Sequence, residues 1–178
     1  MTWKSFHNRG EILRSVTAAA DTRRDGVLPM DVDGVAETFG DELTLLAALQ
    51  LKWHTRLAGN VEKALTDQPL DLDVAVESAW GETADRMPGI RLILDHYRAE
   101  PVDEAMARAM AKATAKEHMM LAATAGRSSV DDAAAVAVGA QLEEAARLHH
   151  RGVSTVVVPG GAHARPTLLD RLKAVVAA

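Results

Sequence analysis

Across residues 41–66 the apolar side chains recur every three or four positions, and no proline interrupts them. Turning each residue by about 100° gathers Leu43, Leu46, Ala47, Trp53, Leu57, Val61, Ala64 and Leu65 into one stripe, and sets Lys52, Arg56, Gly59 and Lys63 opposite. A strand would alternate with period two, so this run predicts an amphipathic helix. Such a helix gains most of its stability from the surface its apolar face packs against, so the rest of the chain has to supply that surface.

It does so with more helices. Residues 102–125 carry Val102, Met106, Ala109, Met110, Ala113, Met120 and Thr124 on one stripe, with Gly126 placed to end the helix. Ser128-Ser129-Val130-Asp131-Asp132 resembles a capping box that opens a last long helix over residues 130–150, closed by Gly152. Its stripe reads Val130, Ala134, Ala137, Val138, Ala145 and Leu148. Shorter helices are predicted over residues 3–22, 32–39 and 72–87, with Asp41 placed to cap the 41–66 helix. Ile90, Ile93, Leu94 and Tyr97 predict only a turn or two of helix before Pro101. Aromatic residues are 3% of the 178 and apolar residues 48%, so the core has to be built from Ala, Leu, Val and Met, which favours closely packed helices.

The expected architecture is an all-α bundle of about six helices over residues 1–151, with antiparallel neighbours because the connections are short. Residues 152–178 read as a short extended tail ending in a small helix. Residues 154–158 are the one β-branched run, Pro159-Gly160-Gly161 is a turn, and the charge changes from −8 over residues 31–100 to +3 over residues 151–178. These changes mark the tail as a docking segment, with Val156, Val157, Val158, Leu168, Leu169 and Leu172 as its contact candidates, or as a segment folded back on its own bundle.

Several classes of chemistry are disfavoured. There is no cysteine, hence no disulfide and no thiolate metal site. The acidic body disfavours nucleic acid as a partner. The start of the chain has no signal-peptide pattern and no stretch is long and apolar enough for a membrane span, so a cytoplasmic location away from membranes is expected. Pro159-Gly160-Gly161-Ala162-His163 lacks the Lys-Ser/Thr of a phosphate loop, and no Gly-x-Ser-x-Gly elbow occurs. No histidine follows a glutamate by three residues, so the carboxylate-bridged di-metal site of helical bundles has no ligand pairs; no cofactor is expected.

What remains is polar residues inside apolar stripes, Gln50 and His54 on one helix, Glu117 on the second and Gln141 on the third, with Glu144 near the edge of that last stripe. Burial makes each costly without a partner, so they are expected to meet one another, with water, a ligand or a metal at His54 and Glu117 as the alternatives. By the same geometry His118 should point largely outward beside an inward Glu117, and the tandem His149-His150 should cap a helix end. The methionines of residues 106–120 read as gap fillers in an alanine-rich core. The functional expectation is a non-enzymatic interaction or accessory module that binds a protein partner or itself. A small-molecule- or metal-binding bundle, an enzyme among the forms it could take, is the alternative.

Overall fold

The chain is an all-α helical bundle. A computed structural model describes residues 3–130 and 132–154, with side chains described for residues 9–150 other than Asp131. Among the described residues there are seven helices and no strand: α1 (Trp3–Arg23), α2 (Val35–Phe39), α3 (Glu42–Thr66), α4 (Leu72–Arg86), α5 (Pro88–Ala99), α6 (Glu104–Thr124) and α7 (Ala133–Ser154). Of the segment expected to form the tail, residues 152–154 belong to the end of α7, and residues 155–178, with Val156, Val157, Val158, Leu168, Leu169 and Leu172, lie outside the described residues.

Aspartate opens four of the helices. Asp41, Asp71, Asp103 and Asp132 each accept the backbone N–H three residues on, from Thr44, Val74, Met106 and Ala135. Each satisfies an N–H that the first helical turn cannot pair internally. The cap of α7 is therefore Asp132, a correction to the capping box expected at Ser128 and Ser129; the Ser128 hydroxyl bonds Val130 instead. α7 also runs on past Gly152.

The largest departure is α5. Where the sequence predicts a turn or two, a twelve-residue helix forms with Pro88 at its start. A proline is tolerated there because the first-turn N–H has no helical partner to lose. The next N–H, of Gly89, donates to Asp21 Oδ1 on α1 at 2.9 Å. A Cβ at Gly89 would stand 2.2 Å from the Ala20 carbonyl carbon, so only glycine lets α1 come this close. α5 then buries Ile90, Arg91, Ile93, Leu94 and Tyr97 among α1, α3, α4 and α6.

The core around it holds Leu45, Leu46, Leu49, Trp53 and Leu57 of α3, Trp80 of α4, Met106 and Leu121 of α6, and Val16 of α1. Trp53 and Trp80 meet edge to face, with centroids 5.8 Å apart, an arrangement favoured by the ring quadrupoles. α6 and α7 pack backbone against backbone: a Cβ at Gly139 would lie 1.9 Å from the His118 carbonyl oxygen. That approach sets the rotation of α7. It buries Ala135, Gly139, Leu142, Glu143 and Ala146 and leaves Ala134, Ala137 and Leu148 exposed. The face is turned by about one residue, roughly 100°, from the stripe read in the sequence.

Candidate functional site

The polar interior is a layer of charged side chains between the two tryptophans and α7. Arg91, 7% exposed, stacks its guanidinium over Trp53 at 4.7 Å and lies 6.0 Å from the Trp80 centroid. Arg147 covers Trp80 at 4.9 Å. Cations are attracted to such ring faces, more strongly where water is excluded.

Three carboxylates answer these arginines. Glu117, 3% exposed, accepts from Trp53 Nε1 at 3.0 Å and Gln50 Nε2 at 3.4 Å through Oε2. Its Oε1 faces Arg91 Nη1 at 3.7 Å, an ion pair without a hydrogen bond. Asp95 accepts from Arg91 Nη2 at 2.8 Å and from both terminal nitrogens of Arg147, at 3.0 and 2.6 Å. Glu143 takes two hydrogen bonds from Arg98, each 3.1 Å, and two from Arg147, at 2.8 and 2.6 Å. His118 Nε2 stands 2.6 Å from its Oε2.

Burial pushes the Asp95 and Glu143 carboxyls up, but the hydrogen bonds from Arg147 to Asp95, and from His118 and Arg98 to Glu143, outweigh it and hold both below the ordinary carboxylate range. An ionised Glu143 can only accept, so Nε2 of His118 carries the hydrogen. Arg147 is held above its ordinary value: burial disfavours its charge, and the hydrogen bonds to Asp95 with the charges of Asp95 and Glu143 more than restore it.

Of the residues singled out in the sequence, the fold brings two together, Gln50 and Glu117. Gln50 also lines an apolar groove of about 290 Å³ between α3 and α6, beside Leu46, Ala47, Ala109 and Met110. His54 is half-buried and, among the described residues, makes no hydrogen bond, so it does not join Glu117. Gln141 and Glu144 are exposed on α7, because the helix is rotated by the Gly139 contact. His118 is buried, not outward: α6 is packed on two sides, and the 100° between Glu117 and His118 takes one toward α3 and α5 and the other toward α7. His149 and His150 face α4 instead of capping, His149 Nδ1 lying 2.8 Å from Glu77 Oε2 and His150 Nε2 3.5 Å from Asp85 Oδ1.

Arg91, Asp95, Arg98, His118, Glu143 and Arg147 were not legible as a cluster. Their local trace is two i,i+4 pairs, Arg91–Asp95 and Glu143–Arg147, a spacing equally common on solvated faces. The contacts that make them interior, Arg98–Glu143 and Arg147–Asp95, span 45 and 52 residues.

The layer's chemistry is charge neutralisation. Three guanidinium groups meet three carboxylates, and among the described residues no group of three or more His, Cys, Asp or Glu side chains is arranged to hold a metal ion. No helix among the described residues is long and apolar enough to cross a membrane. Comparison with protein-family models, with curated proteins and with solved structures finds no match to this chain.

Proposed function

We propose that the chain is a self-associating helical interaction module, in which residues 155–178 of one copy dock on the α3–α4 corner of another. The observation that carries this reading is the apolar surface of that corner. Leu70, in the turn, is fully exposed at 108%, and Leu72 and Val74 in the first turn of α4 are also exposed. Leu72 lies against Gly126, and Arg127 Nη1 bonds Asp73 Oδ2 at 2.5 Å, so the α6–α7 turn with exposed Val130 stands beside them. Single exposed apolar residues are ordinary, but several gathered at one corner favour a partner surface.

Composition supports the occupant. Asp67, Asp71 and Asp73 border the corner, while the C-terminal segment combines Leu168, Leu169 and Leu172 with Arg165, Arg171 and Lys173. Apolar contact with opposite charge at the rim is the usual composition of a specific docking surface.

The test is native mass spectrometry and sedimentation of the full chain over a range of concentrations. Wild type is expected to form dimers or larger assemblies that weaken with salt. The double variant Leu70→Glu/Val74→Glu is expected to be monomeric with an unchanged melting temperature. A wild-type monomer at every concentration would overturn the proposal, as would a variant that assembles normally.

A further inference from the structure

The face of α3 opposite its apolar stripe, with Lys52, Arg56, Gly59 and Lys63, forms one wall of an open groove of about 810 Å³. Thr17 of α1 and Arg86 at the end of α4 close its other sides. Four cationic side chains line this groove and no carboxylate does, in a chain whose net charge is −5. The acidic groups nearby are engaged: Glu82 pairs with Arg86, and Asp21, which acts on Lys52 from α1, accepts the Gly89 N–H. Lys52 Nζ donates to the Thr17 hydroxyl at 3.0 Å and, like Arg56 and Lys63, pairs with no carboxylate among the described residues. Burial holds the Lys52 amine below its ordinary value, with Asp21 opposing the effect and Arg14 adding to it.

Two features separate this wall from an ordinary solvated face. Lys52 and Arg56 are like charges four residues apart, a spacing that weakens a helix. Gly59 stands in the helix interior with no atom within 4 Å of a Cβ placed on it, so no packing contact requires a glycine there, although it costs up to about 1 kcal/mol relative to alanine. What it provides is bare backbone lining the groove, where a ligand can come close.

The layout of the charges selects the ligand. Lys52 and Lys63 are eleven residues apart, roughly 16 Å along the helix axis, so the cations form a row and do not converge on one point. A compact anion meets one or two of them, whereas an elongated anion meets the row. A long polyanion such as nucleic acid would run past the groove onto the acidic remainder of the chain. The guanidinium of Arg56 offers the forked donors that suit phosphate oxygens.

We propose that this groove binds a small molecule carrying two or more linked phosphates, its oxygens pairing with Lys52, Arg56 and Lys63 across the bare backbone of Gly59. The site shares no residue with the α3–α4 corner assigned to self-association, so the two proposals fail separately.

The experiment is isothermal titration calorimetry of the full chain at fixed ionic strength, with sodium tripolyphosphate and ATP as ligands and orthophosphate, citrate and a short DNA duplex as controls. Tripolyphosphate is expected to bind saturably, and orthophosphate and citrate to bind several-fold more weakly. Tighter binding of ATP would identify a nucleotide as the source of the phosphates, and equal or weaker binding the phosphate chain alone; both support the site. Arg56→Gln and Lys63→Gln, at exposed positions, are each expected to weaken binding several-fold with the melting temperature unchanged. Gly59→Ala is expected to weaken binding while raising the melting temperature, a separation that loss of folding does not produce. No saturable binding of tripolyphosphate would overturn the proposal. So would equal binding of orthophosphate or citrate, which would mark a general cationic surface, or of the duplex, which would mark a nucleic-acid face. Binding unaffected by both Arg56→Gln and Lys63→Gln would put the anion elsewhere on the molecule and would overturn it as well.

Discussion

The charge of Arg91 is enclosed by two tryptophans and answered by Asp95 at 2.8 Å and Glu117 at 3.7 Å. Breaking a buried ion pair from one side leaves the other charge desolvated and unpaired, at a cost of about 3–5 kcal/mol. Glu117→Ala is expected to fall in that range by urea denaturation, because Trp53 Nε1 and Gln50 lose their acceptor as well. His54→Leu is expected to stay within about 0.5 kcal/mol of wild type, since His54 is half-buried and has no hydrogen-bond partner among the described residues. Comparable losses from the two variants would contradict this account. Glu117 was legible in the sequence because it interrupts an apolar stripe. Arg91 was not, because a charged residue beside Ile90 and Leu94 reads as a solvated edge until Trp53, Trp80 and Glu117 are brought to it from three other helices.

Among the helices, two glycines with the same intrinsic helix penalty should respond in opposite directions. Gly59 lies within α3 with no atom within 4 Å of a Cβ placed on it, so Gly59→Ala should stabilise the protein by up to about 1 kcal/mol through helix propensity. Gly139 lies within α7 against the α6 backbone, where a Cβ would stand 1.9 Å from the His118 carbonyl. Gly139→Ala has to push α6 and α7 apart, straining the His118–Glu143 contact at 2.6 Å, and should cost about 3 kcal/mol or more. Thermal melts of the two variants check the contrast; a stabilising Gly139→Ala would show that the α6–α7 approach is looser than described. The same contact explains what the sequence could not convey about α7. Alanine occurs on every side of this helix, so its apolar pattern discriminates weakly between faces, and the side that packs is chosen by where the small residue admits a neighbouring backbone. In α3, where large Leu and Trp residues mark one face and Lys and Arg the other, the stripe and the buried face share Leu46, Trp53, Leu57 and Val61, although Leu45 and Leu49 are buried beside the stripe and Ala47 on it is exposed.

For the molecule as a whole, the charged layer joins α3, α5, α6 and α7, so its protonation state is a property of global stability. Asp95 and Glu143 have folded-state pKa values below those of an unfolded chain. A depressed carboxylate pKa means that the unfolded state binds protons more readily. The layer's contribution is therefore complete above the unfolded value, about pH 4, and is lost as pH falls through the folded values. The melting temperature is expected to be nearly flat from about pH 7 to pH 5 and to fall steeply below about pH 4.5. Asp31 and Asp41 are held low too, by the hydrogen bond from Arg23 and by the Thr44 backbone N–H, but both groups are solvent-exposed. Added salt should weaken the Arg23–Asp31 pair and leave the buried layer nearly untouched. Glu143→Gln separates these sources: it removes a titrating group held by Arg98, Arg147 and His118, so the variant should be less stable at neutral pH and lose less on acidification, the gap between the two curves narrowing steadily as pH falls below about 4. An acid limb in Glu143→Gln that runs parallel to wild type would assign the pH dependence to the exposed carboxylates and away from the layer that joins the helices.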